Sequence, residues 1–391
     1  MKIDIIDYES CSAGGLNLKA LRTSLKNYDS GLIKNNLPGS DLDTWVGVVE
    51  QVSNVTDLGH YQSRNNALAA LGFEQGTIRH TVTGLIKKFG ASRVGLVMGS
   101  STSSIDRTET AYTQLNEAGS LTEKFKQPLV HNPHAPSLFM SHLTGITGPS
   151  LTINTACSSS AKVFATGARW LEMGIVDAVL VGGVDTLCLS VLHGFNSLQL
   201  LSPNPCKPFD QYRDGINLGE ASGFAVLQRS GENSNASGVS LTGYGESSDA
   251  YHMSHPHPDG LGAKLSMRQA LKQANKEPAE IDYINLHGTS SRANDLIEGQ
   301  LITELFPNTT QCSSTKAWMG HTLGAAGITE AIIALDTLNT NIIPGSKNLE
   351  TLDEALSLSI KATNEHKVCQ HVMTNSFGFG GNNCTLLFSR S

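Results

Sequence analysis

Hydrophobic positions along the chain fall into short β-branched runs bounded by small residues. "RVGLVMGS" (93–100), "SLTINTA" (150–156), "DAVLVGG" (177–183) and "GFAVLQR" (223–229) read as buried strands. The first three stand beside helical spacing, clearest at 158–174, "SSSAKVFATGARWLEMG", where Val163, Ala168 and Leu171 recur at near-helical intervals. Strands alternating with helices predict an α/β layered fold with buried strands. Polar, Gly/Ser-rich "SGENSNASGV" (230–239) predicts a boundary, which divides the chain into 1–235 and 236–391. The second part repeats the logic of the first. "IDYINLHG" (281–288) reads as strand and turn, "AAGITEAIIALDTL" (325–338) as a helix, and "HKVCQHVMTNSFGFGGNNCTLLFSR" (366–390) as two strands around a glycine turn. No fixed-period repeat accompanies this likeness, so the duplication is structural.

Composition narrows the function class. Of 391 residues, 39% are hydrophobic and 16% charged, a globular balance without a disordered signature. The net charge of −7 lacks the basic excess of a nucleic-acid binder. The opening "MKIDIIDYESCSAGG" has no continuous apolar stretch, and no run approaches the roughly 20 apolar residues of a membrane span. Seven cysteines without C-x-x-C spacing suit a reducing compartment. The expectation is a soluble cytoplasmic protein with neither nucleic acid nor membrane as partner.

Candidate chemistry begins at Cys157 in "TINTACSSSAKVF". A cysteine most often serves as a small hydrophobe, so it gains meaning only from its company. At the first turn of the predicted helix, unpaired N–H groups and the dipole predict a lowered thiol pKa. "LHGTSSRANDLIE" puts His287 at a strand end, followed by hydroxyls, Asp295 and Glu298. "STKAWMGHTLGAAG" puts Lys316 and His321 ahead of small residues. Two histidines and a cysteine on strand-end loops point to nucleophilic catalysis. The loop "NSFGFGGNN" (375–383) can bring backbone N–H groups close to a reacting atom.

With "GGVD" (182–185), "KPFDQYRDGINLGEASG" (207–223) and "SSDAYHMSHPHPDG" (247–260), these stretches stand in a recognisable order between residues 150 and 383. The chain resembles the β-ketoacyl-[acyl carrier protein] synthases, decarboxylating condensing enzymes of fatty-acid and polyketide synthesis. The resemblance implies the thiolase fold, a five-layered αβαβα core from two related α/β halves. It implies an acyltransferase that condenses malonyl-carrier with an acyl chain held on Cys157, giving a 3-oxoacyl-carrier. His287 and His321 resemble the pair that drives decarboxylation, and Lys316 and Glu298 a supporting charged pair. Phe379, with Phe377, lies where the family has its gate, and the Phe379 N–H joins that of Cys157 in the oxyanion hole. Thr289 and Ser291 match hydroxyl positions for the pantetheine arm. No metal or other cofactor is implied, since the substrate carries its own phosphopantetheine. The implied partners are an acyl carrier protein and a second identical subunit, or a chain-length-factor-like subunit in a heterodimer.

The chain departs from the family in several places. "IIDYESCSAGG" replaces the usual TG-x-G opening, and "RAND" follows "HGTSS" where a proline and then Gly-Asp are usual. Ser291 stands where many members have threonine. Gln199 takes a place where relatives often carry an arginine facing the carrier. Candidate basic contacts for the carrier are therefore Arg64, Lys124 and Lys126. His252, His255 and His257 are read as a family loop, because Pro256 and Pro258 break any helix that would align them on a metal. Asp210, Arg213 and Asp214 are read as a structural ion-pair network. A thiolase would pair its nucleophile with a second catalytic cysteine, and an initiating enzyme would have asparagine at His321. The non-enzyme alternative is a silent chain-length-factor-like partner, which typically lacks the cysteine. Fatty-acid and polyketide or polyene service both remain open.

Overall fold

Buried strands with alternating side chains build two facing sets of five. The computed structural model describes residues 2–55, 57–231 and 237–390. The first half supplies β1 (Ile3–Ser12), β2 (Val94–Gly99), β3 (Ser150–Ile153), β4 (Ala178–Asp185) and β5 (Ala221–Arg229). The second supplies β6 (Val239–Ser248), β7 (Tyr283–Asn285), β8 (Gln311–Ser313), β9 (His371–Gly378) and β10 (Asn382–Arg390). They run β8-β7-β9-β10-β6-β1-β5-β4-β2-β3, so each half has the same internal order, read outward from the β1–β6 joint. That joint is short and antiparallel, Ile3–Ile5 against Leu241–Val239. In each half the three outer strands are parallel and the inner pairings antiparallel.

Helices fill both faces. On the outer face of the first half lie α1 (Arg64–Phe73), α2 (Ile78–Phe89) and α3 (Ala135–Thr144). Between the sheets lie α4 (Ser159–Glu172) and, after α5 (Leu189–Ser197), α6 (Leu261–Ala274) and α7 (Arg292–Leu305) on the far face, the long central α8 (Ala326–Thr340). Period-two alternation decides which layer each strand residue joins. Leu96, Met98, Leu180 and Phe224 face the outer helices, whereas Val97, Val179, Val181 and Leu227 face α4 and α8. The result is the five-layered αβαβα arrangement that the resemblance implies. Helix α8 is buried from Ala326 to Leu338, as a helix in a central layer must be.

The predicted strands at 93–100, 150–156, 177–183 and 223–229 form β2 to β5, and the helices at 158–174 and 325–338 form α4 and α8. The expected division between residues 235 and 236, within 230–239, falls outside the described residues. Strand β1 carried no strand prediction, although it sits at the joint. Its buried positions include Asp4 and Glu9, which hide the apolar signal. Asp4 accepts from the hydroxyls of Ser230 and Ser240 at 2.6 and 2.8 Å. Among the described residues no helix is long and apolar enough to cross a membrane.

The crossing of α4 and α8 depends on Gly327, where an added Cβ would stand 2.4 Å from the Ala161 nitrogen. Gly327→Ala is expected to cost about 1–3 kcal/mol through overpacking, read as a lower denaturant midpoint at an unchanged slope. An unchanged midpoint would show that the two helices can move apart freely.

Candidate active site

Cys157 occupies the turn between β3 and α4. The serines of "TACSSS" tie that turn down: Ser158 Oγ donates to the Thr155 carbonyl at 2.9 Å, and Ser159 Oγ to the Ala156 carbonyl at 2.6 Å. Ala156 is held at φ 52, a left-handed conformation that costs a non-glycine residue about 1 kcal/mol or more. The small residues of this motif are thus required by the turn as well as by access to sulfur.

The duplication brings the histidines to the thiol. His321 lies between β8 and α8 as Cys157 lies between β3 and α4, and these strands and helices correspond in the two halves. His321 Nε2 stands 3.0 Å from Cys157 Sγ. His287 follows β7, its ring 5.4 Å from that of His321 and nearly perpendicular to it. Gly320 makes the approach possible: at φ 79, its missing Cβ would meet the Leu218 backbone at 2.7 Å. His321 is then pinned by backbone hydrogen bonds to Asn217 and from Gly219.

Lys316 and Glu298 do not form the expected pair. Lys316 Nζ donates to Glu330 of α8 and to the His287 carbonyl, and lies 3.5 Å from His287 Nδ1. Glu298 accepts the N–H groups of His287 and Gly288 at 2.9 and 2.8 Å, with Asn375 Nδ2 at 3.2 Å. It clamps the backbone of the histidine loop, and burial pushes its carboxyl up to about 7. Glu330 was missed in the sequence. A single acid near the start of the apolar helix "AAGITEAIIAL" was the available signal, since a buried acid requires a partner. Asp185, also missed, accepts from Ser100, Ser101, Thr102 and the Gly324 N–H, so it ties the loop after β2 to the His321 loop.

Electrostatics corrects a second expectation. The Cys157 thiol is pushed up to about 11 by burial, which outweighs the Lys316 charge and the Phe379 N–H that bonds its sulfur. The helix start does not produce a resting thiolate. Burial, with Lys316 nearby, holds both imidazoles well below their ordinary pKa, so they are neutral at pH 7. The Lys316 cation beside His287 Nδ1 favours a proton on Nε2. Among the described residues His321 Nδ1 has no hydrogen-bond partner, so on that side no contact fixes the ring's tautomer. Iodoacetamide should therefore label Cys157 slowly at neutral pH, about tenfold faster for each pH unit gained below the thiol pKa. Peptide mass mapping against time checks this; a rate flat with pH would indicate a stable thiolate–imidazolium pair.

Cys157, His287 and His321 line a cavity of about 370 Å³, together with Phe377, Phe379, Thr289 and Ser291 among others. Phe379 stacks on Phe195 of α5 at 5.5 Å, and Phe377 lies 5.9 Å from the His287 ring. Thr289 Oγ1 and Ser291 Oγ are 3.0 Å apart, and Ser291 also caps α7 by accepting from the Asn294 N–H. The donor atoms of Cys157, His287 and His321 lie within 4.8 Å of one another, a set that could hold a soft divalent ion.

Other expected contacts fall elsewhere. Arg64 is committed to the buried Glu220 through two bonds of 2.7 Å, and Lys126 pairs with Glu123. Lys124 lies over the Phe125 ring. Arg213 pairs with the carboxylates of Asp353 and Asp295 and meets Asp210 only through its backbone carbonyl, at 2.9 Å, because its side chain points across to α7. His252 and His255 meet at 3.2 Å on the surface, while His257 donates its N–H to Asp249.

Known proteins resemble this chain in sequence and in fold. The β-ketoacyl synthase N-terminal domain matches residues 82–233, and the C-terminal domain of the same family matches 239–350. A 3-oxoacyl-[acyl-carrier-protein] synthase 2 of Vibrio cholerae is 33% identical over 324 residues, 78% of either chain. Its Vibrio harveyi counterpart is 34% identical over 323 residues, 78% of this chain and 77% of that one. A ketosynthase of Xenorhabdus doucetiae, solved in complex with its chain length factor, has a TM-score of 0.89 and 36% identity. That alignment covers 100% of this chain and 98% of the other.

Proposed function

The chain belongs to the β-ketoacyl synthase family, and on that premise we propose that Cys157, His287 and His321 carry out its elongating condensation. The protein is an acyltransferase that joins malonyl-carrier to an acyl chain and forms a 3-oxoacyl-carrier. The 3.0 Å contact of Cys157 Sγ with a neutral His321 Nε2 is the observation that carries the residue assignment.

In the first half-reaction Sγ attacks the acyl thioester. His321 Nε2 takes the thiol proton and returns it to the departing carrier sulfur, so the ring ends neutral. The oxyanion forms between the N–H groups of Cys157 and Phe379. In the second, with no thiol left beside it, His321 takes the Nε2–H tautomer, and the malonyl thioester carbonyl takes hydrogen bonds from Nε2–H of His287 and of His321. Carbon dioxide leaves, its bonding electrons form the enolate, and the enolate carbon attacks the acyl-cysteine carbonyl. Sγ departs as a thiolate and takes one proton from solvent, which restores the thiol. Lys316 acts through His287 by holding its tautomer, and Glu298 by holding its backbone. Thr289 and Ser291 bind the pantetheine amides. No cofactor beyond that arm enters any step.

The carrier and a second subunit are the proposed partners. Strand β3 closes the sheet with one side unpaired among the described residues, which suits pairing with another subunit. The Xenorhabdus relative was solved with a chain length factor, so a heterodimer is proposed beside the homodimer. A silent role for this chain is disfavoured because the nucleophile and both histidines are present in contact. Seven free cysteines suit the cytoplasm. The test is incubation with acyl-carrier followed by peptide mass mapping. The acyl group should reside on Cys157, and labelling of any other cysteine instead would overturn the assignment.

A further inference from the structure

The mouth of the cavity carries an apolar collar. Leu198 lines it and is 46% exposed, and Met253, next to the lining residue Ser254, is 76% exposed. Leu261 and Leu265 lie one turn apart on α6, beside the lining residues Gly260 and Ala263, and are 49% and 50% exposed. The Met253 carbonyl accepts the Gly380 N–H at 2.7 Å, which sets this collar against the Phe379 loop. Apolar side chains gathered around one opening mark an interaction site.

Charge at the mouth has a different distribution from the one the sequence suggested. Among the described residues lining the cavity, Arg292 has the permanent positive charge, and the acids are Asp214, Asp249 and the buried Glu298. Arg292 opens α7 and is exposed, with no ion pair among the described residues. Asp353, the acid that senses its charge, is held by Arg213 at 2.6 Å. Arg213 also donates to the Arg292 carbonyl at 3.1 Å, which anchors that backbone. Arg292 directly follows Ser291, and both line the cavity with Thr289.

We infer that the collar docks the carrier protein by apolar contact and that Arg292 pairs with the phosphate joining the pantetheine arm to it. The inference rests on the condensing reaction proposed above. A guanidinium offers the forked donors that a phosphate accepts, whereas the aspartates at the mouth repel it. Arg292 thus supplies the cation missing at Gln199, from the position where "RAND" departs from the family pattern.

Three malonyl donors test the inference: malonyl-carrier, malonyl-phosphopantetheine and malonyl-pantetheine, each followed by carbon dioxide release. Arg292→Ala should raise KM for malonyl-phosphopantetheine relative to malonyl-pantetheine by roughly five- to tenfold, as expected for loss of a charge-assisted pair. Met253→Asp should raise KM for malonyl-carrier relative to malonyl-phosphopantetheine. An unchanged ratio in the first variant overturns the phosphate contact, and in the second it overturns the apolar dock. Failure of the unaltered protein to decarboxylate any of the three would instead overturn the condensing reading on which both rest.

Discussion

Cys157→Gln protein is expected to form no 3-oxoacyl product while still releasing carbon dioxide from malonyl-carrier. Without sulfur there is no acyl acceptor, and loss of a nucleophile lowers such a reaction by at least about a thousandfold. Decarboxylation draws on other atoms. In the proposed mechanism its enolate is stabilised by His287 and His321, whose rings lie 5.4 Å apart and are both kept neutral by burial and Lys316. The glutamine amide would also stand where the acyl thioester stands, with its oxygen available to the Cys157 and Phe379 N–H groups. Carbon dioxide release and product formation, measured on one preparation, separate the two half-reactions. His321→Ala should lose decarboxylation by on the order of a hundredfold, the usual cost of deleting an oxyanion donor. Retained condensation in Cys157→Gln would remove Cys157 as the nucleophile. Full decarboxylation in His321→Ala would remove the second imidazole from the mechanism.

The second large effect concerns stability. Glu330→Ala should destabilise the fold by about 3–5 kcal/mol, because it strands the Lys316 ammonium without a counter-charge. Both side chains are nearly inaccessible, at 3% and 4% of their surface. The double variant Lys316→Met, Glu330→Leu removes both charges and should recover most of that loss, since apolar replacement of a buried pair is often neutral. Activity should not return with it, as the ammonium no longer stands beside His287 Nδ1. Urea unfolding and decarboxylation on the two variants distinguish these outcomes. Full activity in the double variant would assign Lys316 a purely structural part.

Several features were legible from residue order alone. β-branched runs announced β2 to β5, and near-helical spacing announced α4, because both periods are properties of neighbours in the chain. The candidate site was legible for a related reason: Cys157 and His287 follow strands, and His321 stands ahead of a run of small residues. The likeness of the halves was visible only as a repeated kind of element. That the two halves correspond, and so set Cys157 against His321, emerged from the strand order.

What the chain could not announce by itself was burial, which belongs to the whole packed assembly. The thiol's neighbours in sequence favour a lowered pKa, yet enclosure by both halves raises it to about 11. Lys316 was placed with Glu298, an acid near His287 in the chain, but the fold gives it Glu330 from a central helix. Arg64 looked free and is locked onto Glu220, 156 residues away. Sequence thus determined which chemical groups exist and which local elements present them. Tertiary structure alone decided which charges meet and which protons are held, because both depend on distance and desolvation between segments remote in the chain.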